Sequence, residues 1–132
     1  MDMSKNLIIL SAELESATHS GNRQRTETLK GMLEDLNLEF AEAIGHWKGT
    51  EEDSFVVRVN DQAEYETVMN FAFKNFHQDA ILHQEDGEAY VVSNGLYEIE
   101  CDYAGKLVEV NPKEVEQLEN FTIVNNRVYT TK

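Results

Sequence analysis

Gly45-His46-Trp47-Lys48-Gly49-Thr50-Glu51-Glu52-Asp53-Ser54-Phe55-Val56-Val57-Arg58-Val59 is the stretch on which a reading of this chain turns. Phe55, Val57 and Val59 alternate with Val56 and Arg58, the period of a strand with one buried face. Ahead of it stand two glycines, a histidine, a tryptophan and three consecutive acids. The pattern predicts that Glu51, Glu52 and Asp53 occupy the turn feeding that strand, where a rigid scaffold can hold an acid at a pocket's edge. An acid triplet by itself is ordinarily a solvated turn, so its neighbours decide.

Working outward, Leu7 to Leu10 is an unbroken apolar run, the mark of a central strand buried on both faces. Leu29, Met32, Leu33 and Leu36 recur at helical spacing and predict a helix from near Asn22 or Arg23. Phe40 to Trp47 reads as a strand interrupted at Gly45. Asp61-x-x-Glu64 resembles a capping box, and Tyr65, Val68, Met69, Ala72, Phe73 and Phe76 trace one apolar helical stripe. Strands follow at Ala80 to Leu82 and Ala89 to Val92, with Asp86-Gly87 between them. Asn94-Gly95 signals a tight hairpin turn, beyond which Tyr97, Ile99 and Cys101 alternate with Glu98, Glu100 and Asp102. Leu107 to Val110 predicts another strand, and Asn111-Pro112-x-Glu114 a capped short helix. Phe121 to Val124, Asn125-Asn126 and Arg127 to Tyr129 predict a closing hairpin.

The order strand, helix, strand, strand, helix, strand predicts a single α+β domain over residues 1–132. Its expected form is a ferredoxin-like split βαβ sandwich, an antiparallel sheet with two main helices, plus extra C-terminal strands. With 132 residues, 41% of them hydrophobic, the chain can bury a core despite a formal charge of −14. That charge disfavours nucleic acid and anionic membranes and suits a cationic small molecule or a basic protein surface. No apolar run approaches membrane-spanning length, and a cytoplasmic location is expected.

Metal chemistry is not indicated. His19, His46, His77 and His83 fall in no paired-ligand spacing, and Cys101 has no partner cysteine. Cys101 is expected to pack on an apolar strand face. No phosphate-binding glycine loop is present, and no cofactor is expected. Polar clusters near strand ends remain: Ser11 with Glu13, Asn22 with Arg23, Glu51 to Ser54, and Gln78-Asp79.

These residues also carry a resemblance. A strand ending in Ser11-Ala12 is followed by a polar loop and a helix entered by Asn22-Arg23. Gly49-Thr50-Glu51-Glu52 precedes a Val-rich strand, and Gln78-Asp79 follows a helix ending near Phe76. Phe121-Thr122-Ile123, a turn, an arginine and an aromatic close the chain. That order resembles the phage-encoded enzymes that degrade S-adenosylmethionine, the S-adenosylmethionine lyase or hydrolase family.

The resemblance implies an internal reaction in which the substrate carboxylate attacks the γ-carbon. That step expels 5′-methylthioadenosine and closes L-homoserine lactone, and it serves evasion of host restriction. It implies Glu52 as the active-site acid, with Glu51 as the alternative, and a substrate pocket shaped by Ser11, Ser54, Phe55 and Trp47. It also implies a homotrimer with sites between protomers. Hydrolysis to homoserine is the competing outcome within the enzyme class. Outside it, an acidic DNA mimic presenting Glu98, Glu100 and Asp102, or a nucleotide-sensing binding protein, would also fit the charge.

Overall fold

A computed structural model describes residues 1–132. In chain order the elements are β1 (Leu7–Ser11), α1 (His19–Asp35), β2 (Phe40–Trp47), β3 (Thr50–Arg58) and α2 (Gln62–Asn70). There follow β4 (Ala80–Glu85), β5 (Glu88–Asn94), β6 (Ile99–Gly105), β7 (Leu107–Val110), β8 (Asn120–Val124) and β9 (Arg127–Thr131). All nine strands join one antiparallel sheet in the order β6-β5-β4-β1-β3-β2-β8-β9-β7.

The two outermost strands, β6 and β7, are separated in the chain by Lys106 alone. A sheet whose opposite edges are joined through one residue has to curl until they nearly meet. The backbone N–H and C=O of Lys106 exchange hydrogen bonds with those of Lys132, 2.9 Å each, which ties the end of β9 into this corner. The result is a nearly closed, barrel-like sheet, and it corrects the expected ferredoxin-like two-helix sandwich. The strand and helix order is present, but element order does not reveal that later strands extend both free edges. Strands β5 and β6 continue outward from β4, while β8, β9 and β7 continue from β2.

Each face of the sheet has its own core. Ile8, Leu10, Phe55, Val57 and Val59 face Leu29 and Leu33 of α1 and Val68 of α2. Ala72, Phe73 and Phe76 join them from the wide helical turn Phe71–Asn75 that continues α2. Each fully buried side chain of this size contributes about 1.5–3 kcal/mol. On the opposite face Leu7, Ile9, Ala43, Val56 and Val124 cluster. Leu82 from β4 and Leu107 from β7, on opposite wings of the sheet, pack against that same cluster, so this is the concave face.

Local chemistry accounts for the element ends. Helix α1 begins at His19, a turn earlier than apolar spacing predicts, because Thr18 caps it by accepting from the Gly21 N–H at 3.0 Å. Strand β2 runs unbroken through Gly45. The β2–β3 turn is Lys48-Gly49, with φ of 49° and 84°, so the acid triplet lies within β3 and not in the turn. Asp86-Gly87 and Asn125-Asn126 make turns with the same left-handed geometry.

Asn94-Gly95 does not form the expected tight turn. Neither residue has positive φ, and the Asn94 N–H donates to Asp79 O at 2.9 Å, keeping it in register. Tyr97 falls in the looser connection that follows and is 94% exposed. Cys101 is also exposed, correcting its expected packing: β6 is an edge strand open on both sides through Tyr103. The capped 3₁₀ helix Pro112–Gln117, with its Asn111 and Glu114 capping box, forms as the sequence predicts.

Candidate functional site

The period-2 alternation of strands decides which side chains reach the concave face. Val56 belongs to the concave cluster, so Ser54 and Glu52, two and four residues before it on β3, face the same way. Ser11 follows Leu7 and Ile9 on β1 by the same rule and is the register partner of Ser54. Gly45 stands opposite Glu52 on one side and Thr122 of β8 on the other. A cleft of about 860 Å³ opens here, lined by Ser11, Glu13, Trp47, Glu51, Glu52 and Ser54 among others.

Beyond Ser11 the chain leaves the sheet, yet the backbone of β3 stays paired through side chains. Ser11 Oγ donates to Asp53 O at 2.9 Å, and Glu13 Oε2 accepts from the Asp53 N–H at 2.5 Å. The Glu13 N–H in turn donates to Ser11 Oγ at 3.0 Å. The rest of this wall is stapled similarly. Gln78 Nε2 donates to Glu13 O at 2.8 Å, and Asn22 pairs with both the N–H and C=O of Leu14 at 2.8 and 3.0 Å. Arg25 donates to Ala12 O at 2.6 Å and to Phe76 O at 2.5 Å, with its guanidinium 5.4 Å from the Phe76 ring centre. An irregular segment held through Ala12 O and through the N–H and C=O of both Glu13 and Leu14 makes a rigid wall.

Glu52 is half-buried, whereas Glu51 is exposed at the same cleft. Burial raises the Glu52 pKa above its ordinary 4.5; the Ser11 hydroxyl opposes that, and the Glu13 charge adds to it. Gly45, the register partner of Glu52, leaves room for the neighbouring Ser54 hydroxyl, since a Cβ there would stand 2.9 Å from Ser54 Oγ. Trp47, at the end of β2, lines the cleft and is 44% exposed, with Lys48 Nζ 5.6 Å from its ring centre. No three His, Cys, Asp or Glu side chains converge in a metal-binding arrangement.

The cleft thus gathers Ser11 with Glu13, Asn22, Glu51 to Glu52 with Ser54, and Gln78-Asp79, four clusters far apart in sequence. Phe55 and Arg23 do not join them. The Phe55 ring points to the helix-side core, 1% exposed and edge-on to Phe40 at 5.7 Å, so it presents no aromatic face to the cleft. Arg23 is exposed on α1; Arg25, two residues on, makes the contacts. Asn120, Thr122 and Tyr129, brought by β8 and β9, complete the opposite wall; the sequence marked Thr122 and Tyr129 only within the closing strands and none of the three as a site residue. Their signal was the alternation of Asn120, Thr122 and Val124, which shares a face with a residue of the concave core.

The S-Adenosylmethionine lyase family model matches residues 8–132, from β1 through β9 and across every wall of the cleft. No curated protein matches the chain. The match spans nearly the whole chain and contains Ser11, Glu13, Glu52 and Ser54 together, and with it the chain belongs to the S-adenosylmethionine lyase family of enzymes.

Proposed function

We propose that the enzyme cleaves S-adenosylmethionine internally, releasing 5′-methylthioadenosine and L-homoserine lactone. The observation that carries this reading is a half-buried carboxylate, Glu52, held on a rigid concave face inside a cleft large enough for a nucleoside-sized ligand. In the reaction a carboxylate oxygen of the substrate forms a bond to its own γ-carbon. The γ-carbon–sulfur bond breaks, and its electron pair leaves on sulfur as the neutral thioether. No proton has to move, so the protein's task is to fold and hold the substrate. Preorganised geometry of this kind supplies ~7–11 kcal/mol, against roughly 3–5 kcal/mol for one general base.

Glu52 accepts a charge-assisted hydrogen bond from the substrate ammonium and so orients the attacking carboxylate. Ser11 and Ser54, register partners beside it, line the polar part of the substrate site. Ser54 offers its hydroxyl, and Ser11, whose proton goes to Asp53 O, offers a remaining lone pair. Trp47 offers its ring face to the sulfonium, in competition with Lys48, which already stands over that ring. Glu51 shares the cleft but is exposed where Glu52 is half-buried, which favours Glu52 as the orienting acid.

The reading extends to a homotrimer with sites between protomers. Exposed Leu96, Tyr97, Ile99 and Tyr103 on and before β6 support assembly, as does the open cleft rim at Trp47. In a cell, loss of S-adenosylmethionine would deprive methyltransferases and restriction enzymes that depend on it, consistent with a phage protein acting in the host cytoplasm against restriction. No helix of the chain is long and apolar enough to cross a membrane.

Chromatography of S-adenosylmethionine incubated with a catalytic amount of enzyme tests the chemistry. Many turnovers to methylthioadenosine with homoserine lactone are expected, without heavy oxygen when the reaction runs in labelled water. Homoserine formed directly and carrying the label would replace the lyase reading with hydrolysis. Light scattering of the same sample tests the trimer.

A further inference from the structure

Strand β1 stops pairing with β3 at the Ser11–Ser54 partners, yet Glu52 lies two residues beyond that point. The β1-facing backbone groups of Asp53, between Glu52 and Ser54, would be left open there. They are closed instead by a ring of three hydrogen bonds: Ser11 Oγ to Asp53 O, Asp53 N–H to Glu13 Oε2, and Glu13 N–H to Ser11 Oγ. Glu13 enters this ring twice, and its own carbonyl is fixed by Gln78.

We infer that Glu13 is a positioning residue of the lyase site, clamping the Glu52–Asp53–Ser54 segment of β3 to the end of β1 and holding a second negative charge beside Glu52. The clamp is a side-chain continuation of a ladder that the backbone has abandoned. Because β1 turns away after Ser11, the space in front of Glu52 stays free for a ligand while β3 keeps its pairing. A longer β1 would satisfy the same backbone groups and fill the cleft.

The charge has a separate consequence. A negative charge anchored beside a half-buried carboxyl opposes that carboxyl's ionisation. The other titratable groups of the cleft are Glu15 on the β1–α1 loop, His46 and Lys48 on β2 and its turn, Glu51 on β3, His77 and Asp79 before β4, and Tyr129 on β9. Glu13 is the one whose charge bears on Glu52, raising its pKa beyond what burial does. An acid so placed holds its proton in the empty cleft more firmly than a solvated one. A substrate ammonium bound at Glu52 reverses that balance, so ionisation and substrate binding become coupled. Glu13 therefore makes the site selective for a ligand that brings positive charge to this spot.

The test compares wild type with Glu13→Gln and Glu13→Ala, and part of it does not depend on turnover. In Glu13→Gln the amide oxygen still accepts from Asp53 while the charge is gone. Carboxyl-carbon NMR is expected to show Glu52 titrating at lower pH in Glu13→Gln than in wild type. The acid limb of the KM–pH profile for S-adenosylmethionine is expected to move in the same direction. Glu13→Ala loses the clamp as well, so faster amide exchange at Asp53 is expected, with a kcat/KM below that of Glu13→Gln at every pH. Unchanged Glu52 titration in Glu13→Gln, or unchanged Asp53 exchange in Glu13→Ala, would overturn the assignment.

The kinetic part rests on the reading that Glu52 binds the substrate, and Glu52→Gln separates the two. If that variant keeps the wild-type KM, the binding role of Glu52 fails, while the titration and exchange measurements still decide the role of Glu13.

Discussion

Gly45 of β2 and Ser54 of β3 are diagonal neighbours across the β2–β3 ladder, and the missing side chain of one leaves the room that the hydroxyl of the other occupies. A Cβ at Gly45 would meet Ser54 Oγ at 2.9 Å, a contact that real Cβ atoms do not keep. Gly45 has ordinary negative φ, so the reason for glycine here is space and not backbone freedom. Gly45→Ala is expected to displace the Ser54 hydroxyl into the cleft. It should cost about 1–3 kcal/mol of stability, the usual range for overpacking. Denaturant titration checks the stability, and a raised KM with a smaller change in kcat checks the displacement.

Glu52→Gln is expected to lower kcat/KM about tenfold or more, since a hydrogen bond to a charged group contributes ~1.5–3 kcal/mol. Stability should move the other way. The folded-state pKa of Glu52 is raised, by burial first, so the folded protein binds its proton more tightly than the unfolded chain does. That contribution is complete below the ordinary 4.5 and is lost as pH rises through the raised folded value. At neutral pH the glutamine variant should therefore melt higher than wild type, with the gap closing in acid. Thermal melts across the carboxylate range check both signs.

His83 supplies a pH dependence of opposite sign. It is buried on β4 and stacked on Tyr65 at 4.1 Å, and burial holds its pKa below the ordinary 6.5 while Glu85 opposes. The stability it contributes is present above 6.5 and is lost as pH falls through that value toward the folded one. Wild type should therefore lose more melting temperature than His83→Phe between about pH 7.5 and about pH 5. Equal losses would show that His83 is not neutral in the core.

Arg25 joins three parts of the chain: α1, the end of β1 at Ala12 and the end of the second helix at Phe76. Arg25→Ala leaves both carbonyls without this donor and is expected to cost about 1–3 kcal/mol. Arg25→Lys should recover only part of it, because one ammonium cannot reproduce the planar fork that spans the two carbonyls and covers the Phe76 ring. Chemical denaturation of the two variants checks the ranking.

What the sequence disclosed follows from the range over which each signal acts. The apolar run Leu7 to Leu10, the stripe from Val68 to Phe76 and the Asp61 cap depend on neighbours a few residues away, and each produced its element. The acid triplet was misplaced because Lys48-Gly49 was not read as the turn, although glycine at its second position suits the left-handed geometry there. Phe55 was expected to offer an aromatic face to the pocket, but a one-residue step from Ser54 along the strand turns its ring to the helix-side core. The closure of the sheet left no local trace. It depends on the pairing of Ile44 with Ile123 and on the placement of β5 and β6 at the far edge, which no window of sequence contains. The cleft was legible as separate clusters and illegible as one site for the same reason.

The junction of β2 with β8 sets the order in which the molecule assembles. Hairpins β2–β3, β4–β5, β5–β6 and β8–β9 form between chain neighbours, whereas the β2–β8 ladder brings Trp47 to Asn120 across most of the chain length. Bringing such distant segments together carries a loop-closure cost that nearby hairpins avoid. The segment from β1 to β5, with both helices and the whole helix-side core, can consolidate first, and the closing hairpin docks onto it afterwards. Glu52, Ser11 and Ser54 would then be in place before the wall carrying Asn120, Thr122 and Tyr129 arrives. On that route the acid is positioned early, and the wall that completes its cleft arrives last.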